Sequence, residues 1–152
     1  MRIIVLRIVT YELKKVDMLS KKTRYAMVAL VYLAKEDSSK AVLSTEISKN
    51  EKIPQRFLEN ILLELKKMGI LGSKLGKSGG YHLIKKPDEI RLSDIIRHFE
   101  GAIAMLYCVS EKQYQPCEFC KDELTCKIRG VFKEIRDTTY GILDKTTLQD
   151  LI

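Results

Sequence analysis

The four cysteines, Cys108, Cys117, Cys120 and Cys126, all fall in one short segment, and the chain has none elsewhere. Cys117-Glu118-Phe119-Cys120 has the tight pair spacing that lets two thiolates reach one metal, and Pro116 just before it favours an ordered loop. Thiolates are soft donors that suit zinc or an iron–sulfur cluster, and four of them satisfy either. Without a metal, the same cluster of thiols would be a thiol–disulfide switch. Structural disulfides are the weaker reading, because the chain is expected to be cytoplasmic. Met1 to Thr10 is apolar, but Arg2 and Arg7 interrupt it and no small-residue cleavage site follows. No apolar run approaches the roughly 20 residues that span a bilayer, so no membrane partner is expected.

A second group of residues has the chemistry to meet nucleic acid. Gln55, Arg56, Glu59 and Asn60 lie near the start of an amphipathic segment. Arg and Asn can address guanine and adenine edges, and Glu can accept from cytosine. The same residues also serve as the wet face of any amphipathic helix. Further on, Lys74 and Lys77 flank a glycine-rich turn with no acidic residue nearby, and Lys66 and Lys67 precede it. Such a basic hairpin can lie along a phosphate backbone or enter a minor groove. Residues 18–90 hold 14 Lys and Arg against 8 Asp and Glu, whereas residues 91–152 hold 9 against 10. The net charge of +7 is therefore concentrated toward the N-terminal part, as expected if that part meets a polyanion. A solvated basic surface without a partner reads equally well from charge alone.

The elements that must position these groups follow from periodicity. Tyr25, Val28, Ala29, Tyr32 and Leu33 recur at helical spacing over 19–34. Ser44 suits the N-cap of a short second helix over 45–49, and Asn50-Glu51-Lys52 reads as a turn. Pro54 suits the first position of a third helix running to about Met68, with Phe57, Leu58, Ile61, Leu62 and Leu65 as its buried stripe and Gly69 as its stop. The period then changes to that of strands over 70–75 and 81–84, joined by the turn at 76–80. Ser93 is placed as the cap of a helix over 94–100 that Gly101 closes. After the cysteine segment comes a longer helix, starting near Asp122 or Leu124 and running to Leu143. Ile128, Val131, Phe132, Ile135, Thr139, Ile142 and Leu143 form its stripe. About 20 residues of helix would reach about 30 Å, which suits packing against a second subunit, although packing on its own domain fits the period nearly as well.

Three helices and a two-stranded hairpin describe a winged helix-turn-helix, mainly α with a small β-hairpin wing, followed by a long C-terminal dimerisation helix. The expected division is an N-terminal extension over 1–17, a reading head over 18–90 and a cysteine-bearing loop plus dimerisation helix over 91–152. In such motifs the N-terminal residues of the second helix of the reading pair face base edges in the major groove. The 45% hydrophobic and 31% charged composition is that of an ordinary soluble globular chain. An enzyme is disfavoured. Only His82 and His98 are present, and neither lies in a catalytic motif. His82 sits in a wing strand and reads as structural, while His98 is a distant candidate ligand.

Several motifs in order carry a family resemblance: Lys22-Thr23-Arg24-Tyr25-Ala26, then Pro54 with Phe57-Leu58-Glu59, a Lys-Lys-x-Gly-Ile-Leu junction, a Gly-x-x-Gly-Gly-Tyr wing, Leu92-Ser93-Asp94-Ile95-Ile96, the cysteines, and Thr146-Thr147-Leu148-Gln149-Asp150-Leu151. Over 18–152 the chain resembles the Rrf-two family, the IscR/NsrR/CymR group of winged-helix regulators. The resemblance implies a homodimeric transcription factor, usually a repressor, that binds a double-stranded DNA operator. Many members carry an iron–sulfur cluster in the loop before the last helix, which makes a 2Fe-2S or 4Fe-4S cluster the expectation here; members without cysteines sense metabolites or protein partners, and a structural zinc or a thiol switch is the alternative use of this chain's thiols. Cys108, Cys120 and Cys126 match the family's ligand pattern, and Cys117 is additional. Some members ligate through a His three residues after the last cysteine, where this chain has Arg129. Others use a carboxylate before the first helix's tyrosine, where it has Arg24. Cys117 is thus the candidate fourth ligand. The family wing often carries an arginine before its first glycine, where this chain has Leu75, so Lys74 and Lys77 must supply the wing's charge.

Overall fold

The computed structural model describes residues 19–36, 40–76 and 79–152, so the expected extension over 1–17 and the wing residue Lys77 lie outside the described residues. The described chain forms α1 (Lys21–Lys35), α2 (Ser44–Glu51), α3 (Gln55–Lys67), β1 (Leu71–Lys74), β2 (Gly80–Leu83), α4 (Leu92–Glu100) and α5 (Lys127–Lys145). Short 3-10 turns stand at Pro87–Glu89, Tyr107–Val109 and Leu148–Leu151. This is the expected winged helix-turn-helix followed by a long helix.

The apolar stripes assemble as their spacing requires. Leu58, Ile61, Leu62 and Leu65 of α3 are fully buried against Ala26, Ala29 and Leu30 of α1, with Ile47 of α2 and Ile53 beneath the turn. Phe57, expected in that stripe, instead stays at the rim, 38% exposed, with its ring edge-on to Tyr25 at 5.8 Å. Burying aliphatic side chains of this size contributes about 1.5–3 kcal/mol each, which places the stability of the head in the α1–α3 interface.

Several boundaries differ from expectation for local reasons. Ser44 is the first residue of α2 rather than its cap; Leu43 takes the cap position, and the Ser44 hydroxyl is used by Gln55. The helix continues through Asn50 and Glu51, so the turn is concentrated in Lys52, whose φ of 53° is left-handed and whose N–H donates to the Ser48 carbonyl. Pro54 precedes α3 as its N-cap, and its carbonyl accepts from Phe57 and Leu58. Ser93 is not a cap; it is fully buried inside α4, and its hydroxyl donates to Asp144 of α5 at 3.0 Å. The long helix begins only at Lys127, because Asp122 turns back on the chain, accepting from Leu124 N and Thr125 Oγ1.

The wing pairs Leu71 with Leu83 and Lys74 with Gly80, antiparallel. Tyr81 and Val42 exchange backbone hydrogen bonds of 2.8 Å on the other side of β2, so the hairpin is anchored to the segment before α2. Gly80 is required there: its φ is +138°, and a Cβ would sit 2.2 Å from the Val42 carbonyl oxygen. At the other end, Leu148 returns to the core of the head at 1% exposure, and its N–H donates to the Ile90 carbonyl at 2.8 Å. The C-terminal turn therefore shares its core with residues of the 18–90 segment. No helix among the described residues is long and apolar enough to cross a membrane.

Candidate DNA-reading face and cysteine loop

Amphipathicity turns one side of α3 into the core and leaves Arg56, Glu59, Asn60 and Leu63 on the outside. Gln55 is only half-exposed. Its amide donates to Ser44 of α2 at 2.9 Å and to Glu59 at 2.8 Å, so it ties the two helices and orients Glu59. Ser48 Oγ donates to the Ile53 carbonyl at 2.6 Å and closes the turn between them. The reading pair is thus braced by short polar contacts, and Arg56, Glu59 and Asn60 project from a fixed scaffold. Lys74 is exposed at the end of β1, and the neighbouring Leu75 is fully exposed. Lys66 donates to Ser73 at 2.6 Å and so belongs to the base of the wing.

The cysteine loop runs from Gly101 to the start of α5. Its two ends are held together by Arg129, whose Nε donates to the Cys108 carbonyl at 3.1 Å and lies 3.5 Å from Glu123, while its backbone N–H donates to Cys126 Sγ at 3.4 Å. Arg129 therefore acts as a clamp between the loop's beginning and its end. Cys126 is the N-cap of α5. The N–H from Arg129 and a hydrogen bond from Cys120 hold its thiol below the ordinary range, as a helix N-terminus does for anionic sulfur. Cys120 is correspondingly raised, because its thiol is hydrogen-bonded to Cys126.

Cys120 and Cys126 lie close enough to shift each other's ionisation, and Cys117 raises Cys120 further electrostatically, while the Cys120 thiol itself donates to the Asp122 carbonyl at 3.2 Å. Cys108 is buried on its 3-10 turn. Among the described residues no three ligating side chains come together as a metal site, so the four expected ligands are not assembled into one. His98 does not join them either. Its Nε2 faces Glu64 of α3 at 3.3 Å. His82 lies over Gly72 in the wing, where a Cβ would come within 2.6 Å of its Nε2. The donor set nevertheless fits a thiolate-seeking group by its chemistry: four soft ligands lie in one loop, and one of them, Cys126, caps a helix N-terminus that favours negative charge. The residues that spacing could not reveal are Arg129, Ser44, Ser93, Asp144, Glu64 and Lys22, all defined by partners distant in sequence.

Along α5, Arg129, Phe132, Arg136 and Tyr140 are half-buried toward the loop and α4, whereas Ile128, Val131, Ile135 and Ile142 are exposed by 66%, 56%, 38% and 62%. Phe119 and Leu124 in the preceding loop are almost fully exposed as well. The apolar stripe is therefore left outside the core of the chain.

Comparison with known proteins gives a consistent picture. Residues 19–152 match a family described as "Rrf2: Iron-dependent Transcriptional regulator". A protein of Rhodobacter capsulatus described as an Rrf2-like HTH-type transcriptional regulator is 43% identical over 138 residues, covering 89% of this chain and 92% of the relative. The HTH-type transcriptional regulator CymR of Bacillus subtilis is 33% identical over 133 residues, covering 88% of each chain. The solved structure of CymR, the global cysteine regulator of B. subtilis, superposes with a TM-score of 0.72 at 32% identity, covering 88% of this chain and 94% of that one.

Proposed function

Because this chain belongs to the Rrf2 family and is a transcriptional regulator rather than an enzyme, we propose that it works as a homodimer on a two-fold operator, with the cysteine loop holding an iron–sulfur cluster as its sensor. The observation that carries the sensor reading is that Cys126 caps the N-terminus of α5 and accepts from Arg129 N at 3.4 Å, on the helix whose exposed stripe would pair two protomers. The family's description as iron-dependent points the same way. Cys108, Cys120 and Cys126 are the ligands in this reading, and Cys117 is the fourth. When bound, the cluster supplies a redox- and ligand-sensitive centre whose presence orders the loop. Arg129 keeps the Cys108 backbone and the Cys126 thiol on the same side of α5, and the helix N-terminus offsets the thiolates' negative charge.

On DNA, Arg56, Glu59 and Asn60 are the base-reading residues of the major groove, with Gln55 orienting Glu59. Lys74 and Lys77 contact phosphate. The residues over 1–17 are an extension that the reader does not need. Two half-sites about one helical turn apart would match the two heads.

The test is anaerobic purification with iron, sulfide and zinc analysis, followed by operator titration of loaded and stripped protein. Iron and sulfide in stoichiometric amounts, lost in Cys108→Ala, Cys120→Ala and Cys126→Ala and labile in Cys117→Ala, are expected. Full iron retention in the triple variant would remove the ligand assignment, and equal operator affinity of the two forms would remove the sensing role. A second reading, a structural zinc or a Cys120–Cys126 thiol switch, is favoured by the mutual effect of these two thiols on their ionisation and by the likeness to a cysteine regulator. Colourless protein with stoichiometric zinc, or a reversible Cys120–Cys126 disulfide, would establish it instead.

A further inference from the structure

α4 touches the reading helix, the cysteine loop and α5 through neighbouring side chains. On one side, His98 Nε2 lies 3.3 Å from Glu64 Oε2 of α3, only a turn beyond Asn60. Glu64 also accepts from Lys22 of α1 at 2.6 Å, and Lys22 lies 5.3 Å from the centre of the Phe99 ring. On the other side, the Arg97 guanidinium sits 3.4 Å from Glu111 of the cysteine loop. It stacks 4.1 Å from the ring centre of Tyr140 in α5 and donates to its hydroxyl at 3.3 Å. Two consecutive residues of one short helix therefore hold the loop and the reading helix at once. At its C-terminus α4 passes straight into the loop through Gly101, whose φ is +83°. The start of α1 is tied to the same end of α4, since Ser20 N donates to Glu100 at 2.8 Å and Thr23 Oγ1 donates to it as well.

We propose that Arg97 and His98 form the relay between the cysteine loop and the DNA-reading helix, with Glu111 as its input and Glu64 as its output. The proposal rests on the sensor reading above and assigns the residues through which that sensor acts; all four are positioning residues, and none is asked to touch DNA or metal. A change in the loop that moves Glu111 shifts Arg97 and with it the pitch of α4. His98 then pulls or releases Glu64, and α3 turns relative to α1. Neutral imidazole with its proton on Nε2 still donates to the carboxylate, more weakly than imidazolium does, so the relay is not lost when His98 is uncharged. Two discrete arrangements of packed helices are enough for such a device, because helices reseat rather than bend.

The measurement is the ratio of affinities of loaded and stripped full-length protein for one duplex that the wild-type protein has selected from a random pool. Coupling between sites typically spans about 5- to 150-fold. His98→Ala, Glu64→Gln and Glu111→Gln should each bring that ratio to within about twofold of unity, while iron content and dimerisation stay at wild-type levels. His98→Gln, which keeps a donor toward Glu64, should retain most of the ratio. Glu111 is exposed and Glu64→Gln is isosteric, so these two variants fold even if His98→Ala does not. Amide exchange over 55–64 should respond to cluster removal in wild type and not in Glu111→Gln. A wild-type ratio preserved in Glu111→Gln and Glu64→Gln would overturn the relay and leave the sensor standing. A ratio of one in the wild-type protein would overturn the sensor, and the relay with it.

Discussion

Replacing Ile142 by Ala is the most direct test of what covers the α5 stripe. Ile142 is 62% exposed in the protomer, and Ile128, Val131 and Ile135 share its face. From Ile128 to Ile142 the stripe extends about 21 Å along the helix at 1.5 Å per residue, long enough for a helix-to-helix interface. Ile→Ala removes three carbons, worth about 2.4 kcal/mol if fully transferred from water at about 0.8 kcal/mol per methylene. Only the exposed fraction is left for an interface, which brings the figure to about 1.5 kcal/mol per side chain. A two-fold interface contains the residue twice, so the dimer should lose about 3 kcal/mol. At 1.4 kcal/mol per decade, that is a rise on the order of 100-fold in dimer Kd. Sedimentation equilibrium over a dilution series reads this directly. Circular dichroism of the monomeric fraction should show an unchanged helix content, because the side chain is not in the protomer's core. The operator-binding curve should become steeper in protein concentration, since dimerisation now precedes binding. An unchanged Kd would refute the pairing of these stripes, as would a wild-type protein that is monomeric at every concentration yet binds a two-fold operator tightly.

Lys74→Ala should weaken binding to all duplexes alike and lower the slope of log K against log salt by about one per subunit, measured by fluorescence anisotropy; a loss confined to one sequence would mean base readout instead. Asn60→Ala should change which duplexes are selected, with mismatches at one position tolerated at a cost reduced by about 1–3 kcal/mol. Leu58→Ala, at a site with no exposed surface, should lower unfolding free energy by about 2–5 kcal/mol in a urea titration. Lys22→Met tests Glu64 by pH. The hydrogen bond and charge of Lys22 outweigh partial burial and hold Glu64 below its ordinary 4.5. The stability from that pair is therefore complete above about that pH and lost as pH falls through the lowered value, so wild type and variant should converge in acid and differ at neutrality by less than about 1 kcal/mol. A gap that widens in acid would show the sign to be wrong. Deleting residues 2–17 should leave dimerisation and operator affinity unchanged; insolubility of the shortened chain would make the extension structural.

Much of the reader was legible in the sequence because it depends on local rules. A 3.6-residue apolar period places the buried face of a helix whatever it packs on, so Leu58, Ile61, Leu62 and Leu65 were identifiable without a partner. The remaining polar residues of α3 could then only face outward. The change of period after Gly69 marked the wing for the same reason. The cysteines pointed to thiolate chemistry because four soft ligands in one loop rarely serve packing, but spacing alone does not say how they are arranged.

Other features exist only once distant segments meet. Ser44 and Ser93 looked like helix caps, since a serine before an apolar run caps well in isolation. In the fold each hydroxyl finds a distant partner, Gln55 or Asp144, and the cap position passes to Leu43 or Arg91. The start of α5 moved to Lys127 because Asp122 satisfies its own neighbours' N–H and O–H groups and turns the chain before the helix can begin. Its position on the helix before the cysteine segment made His98 a distant candidate ligand. The direction of α4 turns it toward Glu64 instead, and only three-dimensional placement sets Arg97 and His98 back to back between loop and reader. Periodicity can say that a helix has an apolar side. Whether that side faces its own core or is left for another chain is decided by which polar residues the neighbouring helix binds. On α5, the contacts of Arg97 with Tyr140 and of Ser93 with Asp144 hold the polar flank inward and leave Ile128, Val131, Ile135 and Ile142 in solvent.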